Sequence, residues 1–207
     1  MSETGYLFTK RFLDISVSLF SLIILSPVFL IVSIFYYFGD NRGPIFYQQI
    51  RIGQNHKEFN IYKFRSMVVD AEDRLYTNKS LYTKFVKNGY KLSTKEDPRI
   101  TKFGSFLRKT SIDELPQFIN ILKGDMSIIG PRPVVPKELV EYGEYVDKFL
   151  SVKPGAMGLW QASGRSKIHY PERAQLEISY VDQASLWFDF KILFMTVIAV
   201  FKGDGAM

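Results

Sequence analysis

Between Ile15 and Phe38 the chain reads ISVSLFSLIILSPVFLIVSIFYYF, with no charged side chain. That is longer than the about 20 residues a helix needs to cross a hydrocarbon core. Such a segment must be buried on all sides or given to a membrane. It is too long for the apolar region of a cleaved secretory signal, and no small-residue cleavage site follows it. Lys10 and Arg11 precede it, and Tyr36 and Tyr37 stand at its far end, where an aromatic belt is expected. Asp14, one turn after Lys10, is placed to pair with it at the membrane surface.

Ser26-Pro27 falls inside the segment. Proline removes a helical hydrogen bond and clashes with the preceding turn, so it bends a helix, and Ser26 can satisfy a freed carbonyl. One reading is a single span with a kink; the other is a re-entrant helix that returns to the face it entered. Basic residues flank both ends, Lys10 and Arg11 before and Arg42, Arg51, Lys57, Lys63 and Arg65 after. Positive-inside logic therefore favours the cytoplasm for both ends, and the residues alone leave the two readings open.

Composition narrows the chemistry. There are no cysteines among the 207 residues, which excludes disulfides, thiolate zinc sites and a cysteine nucleophile. The two histidines, His56 and His169, exclude a histidine-rich metal site and leave a hard, oxygen-ligated ion such as Mg²⁺ open. A net charge of +6 suits anionic partners. No continuous basic stripe and no zinc or RNA-binding motif occurs, so nucleic acid is not expected. A phosphate-rich small substrate fits better. Arg132, between Pro131 and Pro133 in IIGPRPVVP, stands out because its backbone is stiffened and guanidinium grips phosphate at several points.

Downstream of the anchor the pattern alternates. IFYQQIRI and EFNIYKF read as strands around Gly53, Gln54 and Asn55. VVDAEDRLY reads as helix, and GSFLRKTSIDELPQFINILKGDMS as two helical pieces broken at Thr110-Ser111. KELVEYGEYVDKFL is expected to be helical, MGLWQASGRS a glycine-bearing loop, and PERAQLEISYVDQ a helix opened by Pro171. SLWFDFKILFMTVIAVFKG is too short to span, and reads as a core helix or as an interfacial one with Trp187, Phe188 and Phe190 among headgroups. Residues 1–39 form the membrane-embedded part with its flank. Residues 40–207 form one unit, so the fold class is α+β.

SIDELPQ, residues 111–117, admits two readings. Ser111 and Glu114 have capping-box spacing, with Asp113 favoured by the positive end of a helix dipole. Alternatively, the helix start attracts an anion and the two carboxylates act on it. Sequence neighbours on a helix do not face each other, so shared-proton chemistry is not expected and the two roles should differ. A carboxylate that attacks phosphorus needs cations to offset repulsion, supplied by arginines and Mg²⁺.

Taken together, KRFLDISVSLF…SP, IYKFRSM, RKTSIDELPQ, LKGDMSIIGPRP, KPG…GLWQASGR and DFKILFMTVIAVFKG resemble the bacterial sugar transferases. These are the monotopic phosphoglycosyl transferases that start glycan assembly on polyprenol phosphate. The likeness runs in order from about Lys10 to the C-terminus. It implies a re-entrant membrane helix bent at Ser26-Pro27, a small mixed α/β catalytic unit on the cytoplasmic face of the bacterial inner membrane, and amphipathic interfacial helices.

The implied reaction moves a sugar 1-phosphate from a UDP-sugar to polyprenol phosphate, with Mg²⁺, and releases UMP through a covalent aspartyl intermediate. Asp113 matches the nucleophile and metal ligand, and Glu114 its acidic neighbour. Arg132 and Arg165 match phosphate-handling positions, joined by Lys63, Arg65 and Arg108. Membrane lipid is a further partner, and a homodimer is admitted. The wording GLWQASGR and FKGDGAM resembles members that transfer glucose or galactose 1-phosphate. The chain resembles a minimal catalytic member or the catalytic part of a longer one. Two rivals remain: a membrane-anchored, non-catalytic phosphate-binding scaffold, and a glycosyltransferase that moves sugar without its phosphate and releases UDP.

Overall fold

The computed structural model describes residues 2–88, 90, 92–93, 96–164 and 168–201, without the side chains of residues 3, 40, 200 and 201. Helix α1 runs from Glu3 to Phe35, well beyond the uncharged stretch at its N-terminal end. Pro27 lies inside it without ending it. Most of its Leu, Ile and Phe side chains are exposed, among them Phe8, Phe20, Ile23 and Leu30. Among the described residues, it is the one helix long and apolar enough to cross a membrane. Gly39, with φ +56, turns the chain away beyond it.

By packing, the chain divides into two compact units. The first comprises Met1–Ile24, Gln49–Ile61 and Gln117–Gly205; the second comprises Leu25–Gln48 and Tyr62–Pro116. Strands β1, Phe46–Ile52, and β2, Glu58–Phe64, form a two-stranded sheet whose residues fall across that division.

In the first unit, charged groups hold the start of α1. Lys10 Nζ donates to Asp189 Oδ2 at 2.6 Å, and the Tyr6 and Tyr180 hydroxyls donate to the same carboxylate at 3.1 and 2.7 Å. Arg11 donates to the carbonyls of Ile121 and Leu122 at 2.6 and 2.8 Å, near the C-terminal end of α5, Gln117–Lys123. There its positive charge meets the negative end of the helix. Asp14 accepts from Ser127 Oγ at 3.0 Å and from the Ile128 N–H at 2.9 Å. The expected Lys10–Asp14 pairing is therefore corrected. Each residue sits largely out of water and is taken by a partner distant in sequence, which an exposed i,i+4 pair could not offset.

Strand β3, Ser127–Ile129, pairs in parallel with β4, Gly155–Met157, Ser127 opposite Gly155 and Ile129 opposite Met157. β4 was not expected from the sequence, because only backbone contact defines so short a strand. A Cβ at Gly155 would stand 2.1 Å from the Gly130 nitrogen, so the close approach requires glycine. KELVEYGEY is a 3₁₀ segment, Pro136–Tyr145, rather than an α-helix, broken where Gly143 takes φ 52; α6, Val146–Phe149, follows. The stretch expected to be loop contains a short helix, α7, Leu159–Ser163. Helix α8 covers Glu172–Gln183 and α9 covers Leu186–Phe201. Three apolar clusters pack this unit, around Val134 and Phe149, around Ile121 and Met126, and around Tyr180 and Ile192. On α9, Ile192 faces that core while Trp187, Phe190 and Phe194 are exposed. Its apolar surface therefore exceeds what the core uses.

The second unit holds α2, Ala71–Thr77, α3, Lys79–Lys87, and α4, Lys102–Lys109. Its core joins Val32 and Tyr36 to Phe64 and Leu107. The end of α1 thus packs against later residues.

Candidate active site

Asp113 belongs to the second unit, and local packing sets its position. Thr101 Oγ1 accepts the Gly104 N–H at 2.9 Å and starts α4. Gly104 rests on the main chain just after β2: a Cβ there would stand 1.8 Å from the Ser66 carbonyl oxygen. One turn later Arg108 Nε donates to Ser66 Oγ at 2.8 Å. The Thr110 hydroxyl folds back onto the carbonyls of Phe106 and Leu107, at 3.0 and 3.1 Å. Ser111 then takes a left-handed φ of 57, and Ile112–Glu114 forms a 3₁₀ turn.

The capping box expected of Ser111 and Glu114 does not form. Ser111 makes no side-chain capping hydrogen bond, and Glu114 Oε1 accepts from Lys63 Nζ at 2.5 Å. The bland reading of SIDEL as a helix start is corrected by that backbone: α5 begins only at Gln117.

Asp113 is buried, while the Glu114 side chain is 42% exposed. Burial lifts the Asp113 carboxyl to about pKa 6; the Glu114 charge adds to this, and Lys63 and Arg108 oppose it. Burial also lowers the affinity of Arg108 for its proton, against the charges of Asp113 and Asp97. The result is a poorly hydrated carboxylate, mostly ionised at neutral pH, whose charge two cations favour. That state suits a nucleophile or a ligand to a hard cation.

The remaining expected residues are placed differently. Arg65 donates from Nε to the Pro44 carbonyl at 2.8 Å, from Nη1 to that of Met67 at 3.0 Å, and from Nη2 to that of Asn41. Its backbone carbonyl accepts the Tyr36 hydroxyl at 2.5 Å. The guanidinium thus fastens the chain that follows α1. The second unit brings together Lys63, Arg108, Asp113 and Glu114. Arg132 lies in the first unit, and Arg165 lies outside the described residues. Ser26 and Pro27 are exposed on α1, with the helix unbroken through them.

Sequence reasoning missed Ser66, which orients Arg108. It also missed the buried Asp97–Arg99 pair, with Arg99 donating from Nε and Nη2 at 2.8 and 2.7 Å. The signal for Ser66 was its place directly after Arg65 in IYKFRSM. No signal marked Asp97, whose burial is a tertiary fact.

Arg132 has its own setting. Gly130 N–H donates to the Met157 carbonyl and Gly155 N–H to that of Pro131, at 2.9 and 2.8 Å, which fixes the Pro-Arg-Pro segment beside β4. The Arg132 guanidinium lies 5.6 Å from the Trp160 ring centroid.

Among the described residues, no group of three or more Asp, Glu, His or Cys side chains is arranged to hold a metal. Asp113, with Glu114 beside it, offers the one or two carboxylates that Mg²⁺ uses when substrate phosphates and water complete its shell.

The profile of the family described as bacterial sugar transferase matches residues 5–203. The undecaprenyl-phosphate galactose phosphotransferase of Salmonella typhimurium is 45% identical over 202 residues, 96% of this chain and 42% of that protein. The galactosyl transferase CpsE of Streptococcus agalactiae serotype III is 44% identical over 205 residues, 98% and 44% respectively. The exopolysaccharide production protein ExoY of Sinorhizobium fredii is 42% identical over 202 residues, 96% and 88%. The chain therefore spans less than half the length of the first two relatives and most of the third.

Proposed function

Because this chain belongs to the bacterial sugar transferase family, we propose that it transfers a hexose 1-phosphate from a UDP-hexose to polyprenol phosphate, initiating polysaccharide or glycoconjugate assembly. The observation that carries the reading is the buried Asp113 carboxylate, whose charge Lys63 and Arg108 both favour, on a turn where Ser111 makes no capping hydrogen bond. An Asp113 oxygen attacks the hexose-bearing phosphorus. The bond from that phosphorus to the bridging oxygen breaks, and UMP leaves with the electron pair. An oxygen of polyprenol phosphate then attacks the same phosphorus and frees Asp113.

Lys63 and Arg108 offset the phosphate charge as it approaches the carboxylate, and Glu114 holds Lys63 in place. Mg²⁺, held by Asp113 with Glu114 nearby, would neutralise phosphate oxygens. Arg132 serves as a phosphate ligand, and Arg165 is assigned there by resemblance alone. Galactose in two relatives' names favours UDP-galactose, with UDP-glucose the other donor expected.

The membrane reading is monotopic, at the cytoplasmic face of the inner membrane. Residues after α1 bond to its start, through Ser127 and Asp189, and pack on its end, through Phe64 and Leu107. Among the described residues no second helix is long and apolar enough to cross. Basic residues flank both ends of the uncharged run and Pro27 lies within it, which supports re-entry near Ser26-Pro27 over a span.

The test is a panel of UDP-galactose, UDP-glucose and UDP-N-acetylhexosamines with undecaprenyl phosphate and Mg²⁺. Acceptor-dependent UMP supports phosphosugar transfer. Release of UDP would mean sugar moves without its phosphate, and no nucleotide release from any donor would favour a scaffold.

A further inference from the structure

The first unit carries a buried set of charges that the reaction as written does not use. Glu177, on α8, is fully buried. Both of its carboxylate oxygens accept the Arg132 backbone N–H, at 3.2 Å each. Arg173, one turn earlier on α8 and 6% exposed, stacks over Trp160 at 4.4 Å and over Tyr170 at 4.7 Å. Trp160 is held by its own N–H, which donates to the Ile168 carbonyl at 3.1 Å, and its ring also faces the Arg132 guanidinium. Glu138 accepts from Arg173 at 3.3 Å and from the Tyr170 hydroxyl at 3.0 Å, so Arg173 is held from both sides. The charged and titratable groups facing Glu177 are Arg132, Arg173, Glu138 and Tyr142.

Burying a carboxylate this deeply is unfavourable unless it is fully hydrogen-bonded. A helix residue that served only packing would be apolar here, as its neighbour Ala174 is. Glu177 instead grips one amide, that of the residue between two buried prolines. Proline supplies no N–H of its own, so the Arg132 amide is the one donor the Pro131–Pro133 segment can offer. Meanwhile Arg132 Nε is buried and has no hydrogen-bond partner among the described residues. A buried donor left without an acceptor is a cost that a bound anion would relieve.

We infer that Glu177 is a positioning residue for Arg132: it fixes the Arg132 backbone while Trp160, itself steadied by Arg173, fixes the guanidinium, so that one arginine is presented preorganised to a phosphate. The inference rests on the reading of Arg132 as a phosphate ligand. Preorganisation matters because a flexible arginine loses rotamer freedom on binding. The mount removes that cost before substrate arrives.

A double-mutant cycle on the full chain tests it, reading KM and kcat for the UDP-hexose together with thermal stability. Arg132→Ala is expected to raise KM roughly tenfold or more, and Glu177→Met, which removes both acceptor oxygens at similar volume, to raise it by a similar factor. The double variant should be no worse than about twofold beyond Arg132→Ala, because a residue acting through another has nothing left to act on. Glu177→Asp keeps the carboxylate but withdraws it by one methylene, and supplies a second cycle if the methionine variant does not fold; the same non-additivity is expected. Fully additive effects, or a Glu177 variant that binds donor like the wild type, would overturn the positioning role and leave the proposed reaction standing. Arg132→Ala with wild-type KM and kcat would overturn both this inference and the assignment of Arg132.

Discussion

Replacing Gly104 by alanine tests how the active-site turn is held. The added Cβ would stand 1.8 Å from the Ser66 carbonyl oxygen, 2.5 Å from its carbonyl carbon and 2.7 Å from its Cα. Ordinary contact needs roughly 3.5 Å, so α4 must retreat by roughly 1.5 Å. All three obstacles are backbone, so no rotamer change relieves them. The Arg108–Ser66 hydrogen bond, 2.8 Å long, would open past its limit. Overpacking costs about 1–3 kcal/mol and loss of a charge-assisted hydrogen bond about 1.5–3, against a helix-propensity gain of at most about 1. A net loss of about 3 kcal/mol lowers the melting temperature by roughly 6–12 °C in a chain of this size. Thermal unfolding in detergent, with UMP release measured in parallel, reads both effects. Turnover should fall further than stability explains, because Arg108 moves with the helix. A melting temperature within about 2 °C of wild type and unchanged turnover would refute the argument.

Three further outcomes are expected. Glu177 is pushed up by burial from 4.5 to about 7. A raised carboxyl contributes stability that is complete below its unfolded pKa and lost as pH rises through the folded one. Urea unfolding should therefore show about 3 kcal/mol less stability at pH 8 than at pH 4.5 from this group alone, a slope that Glu177→Gln removes. Lys63→Met removes a cation facing Asp113 and Glu114. Turnover should drop roughly tenfold or more while stability changes by under about 1 kcal/mol, since the pair is partly exposed; near-normal turnover would remove Lys63 from the site. A single cysteine at Ser2, in a chain without others, should stay unlabelled when an impermeant reagent is applied outside intact cells; labelling there would mean that α1 spans.

Much of this was legible in the sequence. The uncharged run announced α1, the PERAQLEISYVDQ pattern announced α8, and the glycine-proline punctuation placed the Arg132 segment. What the sequence hid is tertiary. Ser111 and Glu114 keep perfect capping-box spacing, yet the left-handed Ser111 backbone and the pull of Lys63, distant in sequence, undo the box. Lys10 and Asp14 have helical pair spacing and are claimed by Asp189 and by Ser127 and Ile128. Arg65 reads like any basic residue near a motif, but its guanidinium binds three carbonyls. Local spacing shows which pairs can form; burial and competition decide which pairs do.

The central claim is that Asp113 forms a bond to the hexose-bearing phosphorus. The most direct measurement is mass spectrometry of protein quenched with UDP-galactose and Mg²⁺ in the absence of polyprenol phosphate. Asn at position 113 preserves size and keeps a side-chain oxygen acceptor, so Asp113→Asn should fold and bind membrane normally. The wild type should carry a hexose-phosphate adduct on its Asp113 peptide, formed together with one UMP, and Asp113→Asn should show neither adduct nor turnover. Turnover retained by Asp113→Asn, or UMP release that requires both substrates with no adduct on Asp113, would contradict it.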